Sequence, residues 1–217
     1  MQVGTVKSLW RYPVKSILGE ELAEARVGEI GVAGDRARVI VDADTGRYAT
    51  ADKVRKWPSL FSLRAEGEGG AIRVTLPDGR TVSADDDGAV SEAVGRPVRV
   101  SALAAPYHAE APIHLVASST LDRLDVDARR FRPNVVVETD ADENDWVGRT
   151  LALGDEVLVA VDGRCVRCVM TTLAQDELPR DPSVLQRVVR DNDRTVGVLG
   201  AVARGGTLRR GDPVRLA

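Results

Sequence analysis

Both cysteines of the chain lie in one short segment, "VDGRCVRCVMTT" (residues 161–172), at Cys165 and Cys168. Two thiols at this spacing suit a disulfide, a redox dithiol, half of a zinc site, or one metal-binding thiolate beside a second cysteine with another role. Arg164 and Arg167 flank them, and nearby positive charge favours the thiolate that a soft metal requires. Two small residues that fill a core are a further alternative.

The surroundings disfavour three of these interpretations. A disulfide that closes so short a loop would contribute little stability. Zinc would need the two histidines, but Pro112 separates His108 from His114, and His114 begins an apolar strand in which we expect it to pack. A redox dithiol needs a helix N-terminus, whereas the "VMTTLA" that follows is β-prone. If the strand continues through Arg167, the two thiols point to opposite faces and have different roles.

Polar side chains in two other segments could bind an anion. In "DARRFRPNVVVE", Arg130, Arg132 and Asn134 share a face if the segment is extended. An arginine and an amide two residues apart at a strand entrance suit an oxyanion or a polar heterocycle. In "YPVKS", Lys15 and Ser16 follow a proline that ends a strand, where a side chain could reach an anionic group. Taken singly, each of these residues could equally form a surface salt bridge.

The composition disfavours several function classes. The 217 residues, 43% of them hydrophobic, can bury one substantial core or two small ones. The net charge of -3 and the scattered acidic residues leave no basic face for nucleic acid or an anionic membrane. The N-terminal "MQVGTVKSLWRYPVKS" alternates in polarity, unlike a signal peptide or a membrane span. We therefore expect a cytoplasmic protein with reduced thiols.

Strands dominate the pattern along the chain, which predicts an α+β fold that is mostly β, as a barrel or a sandwich. Helices are predicted over residues 85–95, closed by Gly95; over 119–127, capped by Ser118 or Ser119; and over 181–192, with Asp181 as N-cap. Strands are predicted over 3–14, 96–103, 113–118 and 130–139, hairpins over 36–50, 71–84 and 150–161, and two terminal strands across a Gly205–Gly206 turn.

The Ala/Pro-rich segment "AAPYHAEAP" (residues 104–112) reads as a connector between two units. It predicts an N-terminal β-rich domain over residues 1–104 and a second domain over residues 105–217.

Five segments, taken in order, resemble one known family. They are "YPVKS", "GDR" at residues 34–36, "RRFRPNVVV", "RCVMTT" and the terminal "LRRGDPVRL". Together they look like the MOSC domain with its N-terminal MOSC β-barrel companion, the architecture of the amidoxime-reducing components of mitochondria and their bacterial relatives. The resemblance spans essentially the whole chain, and "FRPN" followed some thirty residues later by "RCxxTT" is its most specific part.

The resemblance implies a molybdenum cofactor, held through its pterin dithiolene and completed by one protein thiolate. By its position in the "RCxxTT" motif that catalytic and metal-binding thiolate is Cys168, with Thr171 and Thr172 near the metal or the pterin. The family residues around the pterin and its phosphate match Lys15, Ser16, Arg36, Arg132 and Asn134. Departures from the family pattern include Arg38 where relatives commonly carry a tryptophan, and "LAQDELPRD" after the threonines, which bear on the pterin pocket and on specificity.

The implied activity is reduction of N-hydroxylated compounds such as amidoximes and hydroxylamines, with the consumption of two electrons and two protons. Two cysteines cannot build a four-cysteine iron–sulfur cluster, and the sequence has no flavin or nicotinamide fingerprint. A separate electron donor, a ferredoxin-like or flavin-reductase-like protein, is therefore expected. The alternatives are a carrier of the cofactor or of sulfur without turnover, in which Cys168 holds a persulfide that Cys165 resolves, and a barrel that has lost the cofactor.

Overall fold

The computed structural model describes residues 1–108 and 111–217 as a β-rich fold with three α-helices. The helices are α1 (Asp87–Val94), α2 (Ser118–Leu124) and α3 (Ser183–Asp191). The strands are β1 (Gln2–Arg11), β2 (Glu20–Leu22), β3 (Glu24–Gly28), β4 (Gly31–Val32), β5 (Arg38–Asp42), β6 (Arg64–Glu66), β7 (Arg73–Thr75), β8 (Thr81–Ser83), β9 (Val98–Ala102), β10 (Ile113–Ala117), β11 (Val135–Glu138), β12 (Thr150–Leu153), β13 (Val157–Val166), β14 (Thr195–Arg204), β15 (Gly206–Arg209) and β16 (Pro213–Leu216).

Seven strands close into a barrel because β1 pairs on both of its edges. The barrel order is β11-β10-β14-β13-β12-β16-β1, and β1 then returns to β11 with Leu9 opposite Val135. Apolar side chains of these strands alternate inward and fill the interior with a buried cluster that includes Leu115, Leu151 and Val198. Closure removes the exposed sheet edge that an open sheet of this size would carry.

A second core lies under the smaller sheets of the N-terminal half. Strand β5 pairs antiparallel with β9, and β6, β7 and β8 form a meander. Their buried faces pack with Trp57, Leu63 and Val90 into a cluster separate from the barrel interior. Met170 and Leu173, which follow Cys168 in sequence, pack against this core as well. The cysteine segment therefore sits where the barrel meets the N-terminal core.

The helix predictions are confirmed, although two of the caps differ. The N-cap of α3 is Pro182 rather than the predicted Asp181, whose carboxylate accepts from Ser183 N at 2.9 Å. The Asp86 carboxylate accepts from Ala89 N at 3.0 Å to cap α1, and Gly95 ends it with a φ of 74°. Helix α2 has no side-chain cap, because the Ser118 and Ser119 hydroxyls instead donate to the carbonyls of Thr139 and Ala141. The prediction of a serine cap is therefore wrong.

The fold class, mostly β with a barrel, is confirmed, and the hairpins over residues 71–84 and 150–161 form as predicted. The hairpin over residues 36–50 is short: Val41 bridges Tyr48, and backbone hydrogen bonds join Asp42 N to the Arg47 carbonyl and Ala49 N to the Ile40 carbonyl. Strand β5 pairs along its whole length with β9 as well. The terminal two-strand prediction is wrong. The chain leaves β14 at Arg204, and Gly205 passes so close to the Val27 carbonyl that a Cβ would clash with it, which lets β15 pair with β3.

The division into domains at residue 104 stays a prediction, and two findings bear on it. Strand β1 belongs to the same barrel as the strands of the C-terminal half, and β3 pairs with β15.

Across residues 1–108 and 111–217, no helix is both long enough and apolar enough to span a membrane.

Candidate functional site

One cavity of about 290 Å³ lies beside the end of β13. It is bordered by the turn after β1, the segment before β5, the segment before β11 and the segment after β13. We call it the Cys168 cavity. Of the eight residues predicted for the site, the following line it: Lys15, Ser16, Arg36, Arg132, Asn134 and Cys168. The structure thus brings together residues that lie up to 153 positions apart in the sequence.

The two predicted threonines lie behind the cavity rather than on its wall. Residues Val169–Thr172 form a 3₁₀ turn in which Thr171 and Thr172 are buried. The Thr171 amide and hydroxyl both donate to the Cys168 carbonyl, at 3.2 and 3.0 Å, and the Thr172 hydroxyl donates to the Val169 carbonyl at 2.8 Å. Their contacts with the protein fix the backbone on which Cys168 is carried.

Both cysteines border the Cys168 cavity, which differs from the expectation that they point to opposite sides. Strand β13 ends at Val166, after a shift in its register with β14 between Arg164 and Val166. Cys165 is half-buried, and Cys168 is exposed just before the 3₁₀ turn. The expectation assumed an extended backbone through Arg167. No disulfide joins the two cysteines, both of which are in the described part of the chain.

Arg132 is a buried cation of the cavity. Its guanidinium lies 4.2 Å from the ring centre of Tyr12 and 5.6 Å from that of Phe61, and its Nη1 donates to the Ile17 carbonyl at 2.6 Å. Burial, with Arg36 nearby, lowers the pKa of Arg132 to about 10. Among the described residues, the Arg132 guanidinium donates this one hydrogen bond, so it retains donor capacity.

The shared-face prediction required an extended backbone around Arg132, but this segment is not extended. Residues Ala128–Phe131 form a 3₁₀ turn whose start is capped by Asp127, and Arg132 follows with a φ of 55°. Strand β11 therefore begins only at Val135. Arg130, which would have shared a face with Arg132, turns away and donates to the carbonyls of Leu173 and Pro179 at 3.0 and 2.7 Å.

Asp35 organises the opposite wall, although sequence reasoning did not single it out. It is fully buried, and its carboxylate accepts from the Tyr12 amide at 2.7 Å and from Asn134 Nδ2 at 3.1 Å. It also pairs with Arg36, whose guanidinium stacks 5.0 Å from the Tyr12 ring centre. Asp35 thus holds two predicted ligand-binding side chains at once. The "GDR" motif contained the signal, because an acidic residue next to a predicted anion-binding arginine needs a structural partner.

Asn134 forms several hydrogen bonds within the protein, so it has a structural role as well as a predicted ligand-binding one. Besides the bond from its Nδ2 to Asp35, Asn134 has two contacts with His114. Its Oδ1 accepts from the His114 main-chain N–H at 3.2 Å, and its main-chain N–H donates to the His114 carbonyl at 2.9 Å. Strands β10 and β11 are parallel neighbours, and these bonds fix their spacing at the point where they reach the cavity.

Lys15 and Ser16 enter the cavity from the turn after β1. Ser16 is buried and adopts a φ of 67°, which turns the chain sharply toward the cavity. Lys15 Nζ lies 3.3 Å from the Ser16 hydroxyl and 4.7 Å above the Tyr107 ring. Burial and the neighbouring cations lower the pKa of Lys15, while Asp52 acts in the opposite direction.

A buried pair, Arg167 and His114, forms the floor of the cavity. The Arg167 guanidinium donates to the carbonyls of Phe131 and Val196, at 3.1 and 2.9 Å, and contacts His114 Nε2. Because arginine only donates, Nε2 accepts, and His114 is the neutral tautomer with its proton on Nδ1, facing the Arg132 carbonyl. Burial and Arg167 hold the pKa of His114 well below its usual value. His114 is therefore a packed strand residue, as the sequence predicted.

The arginines that flank the cysteines have contacts with other segments. Arg164 lies 3.8 Å from Asp193 at the surface, and the donors of Arg167 bind main-chain carbonyls. Within residues 1–108 and 111–217, no group of three histidine, cysteine or acidic side chains could hold a metal ion. His108 is half-buried at the cavity, 3.0 Å from the Ile30 carbonyl.

The charges of the cavity favour an anion. Among the described residues that line it, four are cations, Lys15, Arg36, Arg132 and Arg167, and one is a carboxylate, Asp52. This positive site stands in a chain of net charge -3. The arrangement offers a thiol that could bind a soft metal and guanidinium and ammonium groups that could bind phosphate oxygens.

Two family models and the fold of one solved structure agree with this architecture. The family model described as "MOSC domain" matches residues 99–215, and the model described as "MOSC N-terminal beta barrel domain" matches residues 3–123. The YuaD protein from Bacillus subtilis is 12% identical, with a TM-score of 0.55 over 99% of this chain and 94% of that chain, which shows a similar fold. YiiM from Geobacillus stearothermophilus is 17% identical, with a TM-score of 0.38 over 64% and 68% of the chains. No curated protein matches the sequence.

Proposed function

Because this chain belongs to the MOSC domain family, whose members are associated with the molybdenum cofactor, we propose that it is a molybdenum-cofactor-dependent reductase of N-hydroxylated compounds. Its substrates would be small molecules such as amidoximes or hydroxylamines. Its electrons would come from a separate protein.

One observation carries the proposal: an exposed cysteine and three cations borne on other segments share a single cavity. Cys168 would supply the thiolate ligand of the metal, and Lys15, Arg36 and Arg132 would bind the phosphate and the polar edge of the pterin. The donor set fits the cofactor in chemical type, since a soft metal prefers a thiolate and a phosphate prefers arginine and lysine. Binding an anion would also offset the mutual repulsion of the buried cations.

The cofactor, when bound, would supply two-electron redox chemistry at its metal. The protein would orient it: the Thr171 contacts with the Cys168 carbonyl fix the backbone of the thiolate, and Asp35 fixes the Arg36 guanidinium. Lys15, partly desolvated at the cavity wall beside the Ser16 hydroxyl, would hold the phosphate end of the cofactor.

The first experiment is metal and pterin analysis of the protein produced in a host that makes the molybdenum cofactor, beside Cys168→Ala and Cys165→Ala. We expect near-stoichiometric molybdenum and pterin in the parent and in Cys165→Ala, with molybdenum lost in Cys168→Ala. Turnover is then measured with benzamidoxime and reduced methyl viologen. A parent protein without molybdenum, or a Cys168→Ala variant that retains it, would refute the proposed ligand.

A second candidate function is a sulfur carrier, which the presence of both cysteines at one cavity favours. Cys168 would carry a persulfide, and attack by the Cys165 thiolate on the Cys168 sulfur would form a disulfide and release hydrosulfide. Mass spectrometry distinguishes the two functions after incubation with a cysteine desulfurase and cysteine. A gain of one sulfur atom on Cys168, in a protein that turns over no N-hydroxylated compound, would favour the carrier.

A further inference from the structure

The ring of Tyr12 lies directly behind two of the cations of the Cys168 cavity. Tyr12 is 3% exposed, and its ring centre is 4.2 Å from the guanidinium carbon of Arg132 and 5.0 Å from that of Arg36. Both arginines are among the described residues that line the cavity, whereas Tyr12 is not. The two guanidinium carbons can therefore be no further apart than the sum of these two distances. One buried aromatic ring contacts both cations.

The main chain and the local packing fix the position of this ring. The Tyr12 main-chain N–H donates to the Asp35 carboxylate at 2.7 Å, and the Arg36 main-chain N–H donates to the Tyr12 carbonyl at 2.8 Å. The ring packs beside Gly19, where a Cβ would come within 2.6 Å of Tyr12 Cδ1. The ring therefore has a fixed place relative to the segment that carries Arg36.

The hydroxyl of Tyr12 takes no part in these contacts. It is buried, and within the described part of the chain it has no hydrogen-bond partner. Burial raises the pKa of the Tyr12 phenol, so the side chain stays uncharged and does not neutralise the two cations as a phenolate would. What Tyr12 offers to the guanidiniums is therefore the electron-rich face of its ring.

The two arginines depend on this ring to different degrees. Arg36 also pairs with the Asp35 carboxylate. The buried guanidinium of Arg132 instead contacts the rings of Tyr12 and Phe61 and the Ile17 carbonyl. A ring face attracts a cation without neutralising its charge and without occupying its N–H groups, so both stay available to an anion. A carboxylate partner would compete with that anion.

We propose that Tyr12 is a positioning residue that holds the Arg132 guanidinium, through the face of its ring, toward an anion in the Cys168 cavity. The inference rests on the proposed function for the identity of that anion, the phosphate of the cofactor. Tyr12 does not itself reach the anion. It acts through Arg132 and, to a smaller extent, through Arg36, which Asp35 also holds.

The test measures sulfate binding to the cofactor-free full chain by titration calorimetry. Tyr12→Phe removes only the hydroxyl, and replacement of Tyr12 by phenylalanines that carry one, two or three fluorine atoms weakens the negative ring face stepwise with little change in shape. Tyr12→Leu removes the ring. Leu151→Ala is the control for lost packing, because Leu151 is fully buried in the barrel interior and does not line the cavity.

Tyr12→Phe should bind sulfate within about twofold of the parent, and the affinity should fall about fivefold along the fluorinated series and at least as much in Tyr12→Leu. Leu151→Ala should lower the Tm and leave the affinity unchanged. In an Arg132→Met background, Tyr12→Leu should have a smaller further effect, because Tyr12 acts through Arg132.

Three results would overturn the inference: no sulfate binding by the parent, an affinity as low in Leu151→Ala as in Tyr12→Leu, or an affinity that stays constant or rises along the fluorinated series. A rise would show that the ring competes with the anion for the guanidinium. The fluorinated series decides the matter even if Tyr12→Leu does not fold. Sulfate binding that weakens along the series, in a parent that takes up no molybdenum cofactor, would instead refute the proposed reductase.

Discussion

Arg130 and Arg167 tie together the two segments that border the Cys168 cavity, each donating to the segment that carries the other. Arg130, from the segment before β11, binds the carbonyls of Leu173 and Pro179 in the segment after Cys168. Arg167, from the cysteine segment, binds the Phe131 carbonyl at 3.1 Å. Both side chains are buried. This reciprocal pairing holds Cys168 and Arg132 on the same cavity.

Replacing Arg167 with methionine should destabilise the protein by about 2–4 kcal/mol, because the buried carbonyls of Phe131 and Val196 would lose their donors. Urea unfolding followed by circular dichroism measures the change. Arg190→Met is the control, since Arg190 is 72% exposed and pairs with Asp191 at the surface, so it should cost less than about 0.5 kcal/mol. Equal effects of the two substitutions would contradict the structural role of Arg167.

Acid should destabilise the protein through His114. Its pKa in the folded protein is well below the usual value, because burial and Arg167 disfavour the imidazolium. Below about pH 6.5 the unfolded chain binds a proton that the folded protein does not, so stability is full above this pH and falls as the pH decreases, by at most about 1.4 kcal/mol per unit. His114→Gln should lose this part of the dependence. Urea unfolding of both proteins from pH 7.5 to pH 5 gives the difference, and parallel curves would contradict the assignment.

Glycine at position 197 is required by space as well as by backbone conformation. Its φ is +75°, and a Cβ would lie 2.5 Å from the Leu115 carbonyl and against the His114 ring. Gly197→Ala should therefore cost about 3 kcal/mol or more. Gly46→Ala is matched in conformation, with a φ of +67° and open space around it, and should cost about 1 kcal/mol. Thermal unfolding compares the two, and a mild effect at both positions would show that the β10–β14 contact can relax.

Local chemistry made several elements predictable. The Asp86 and Gly95 signals define α1, and Pro77-Asp78-Gly79 defines the turn between β7 and β8, because both depend on nearby residues. The pairing of Ile40 with Val100 links positions far apart in the sequence, and no short pattern contains it. Closure of the barrel by β1 is a long-range pairing of the same kind.

Six of the eight residues predicted from the sequence line the Cys168 cavity, but the local geometry predicted for them differs from that of the structure. The period-two pattern around Arg132 predicts an extended strand, but Asp127 caps a 3₁₀ turn there and places Arg132 at a positive φ. The buried partners Asp35 and His114 act through contacts with other segments, which the sequence alone does not reveal. Motif order therefore indicated which residues meet, whereas their hydrogen bonds depend on the packing of β1, β10 and β11.

Binding of an inorganic anion tests the charge of the cavity without the cofactor. Burial lowers the pKa of Lys15, so it should lose its charge at a lower pH than an exposed lysine does. Sulfate keeps a constant charge between about pH 7 and about pH 9.5, so any loss of affinity over this range comes from a change in the charge of the protein. We expect sulfate to raise the Tm of the cofactor-free protein more at the lower pH. In Lys15→Met the increase should be smaller and should depend less on pH than in the parent, whereas Lys7→Met, which alters a surface pair with Glu138, should behave as the parent does. A pH dependence in Lys15→Met equal to that of the parent would assign the titration to another group of the cavity.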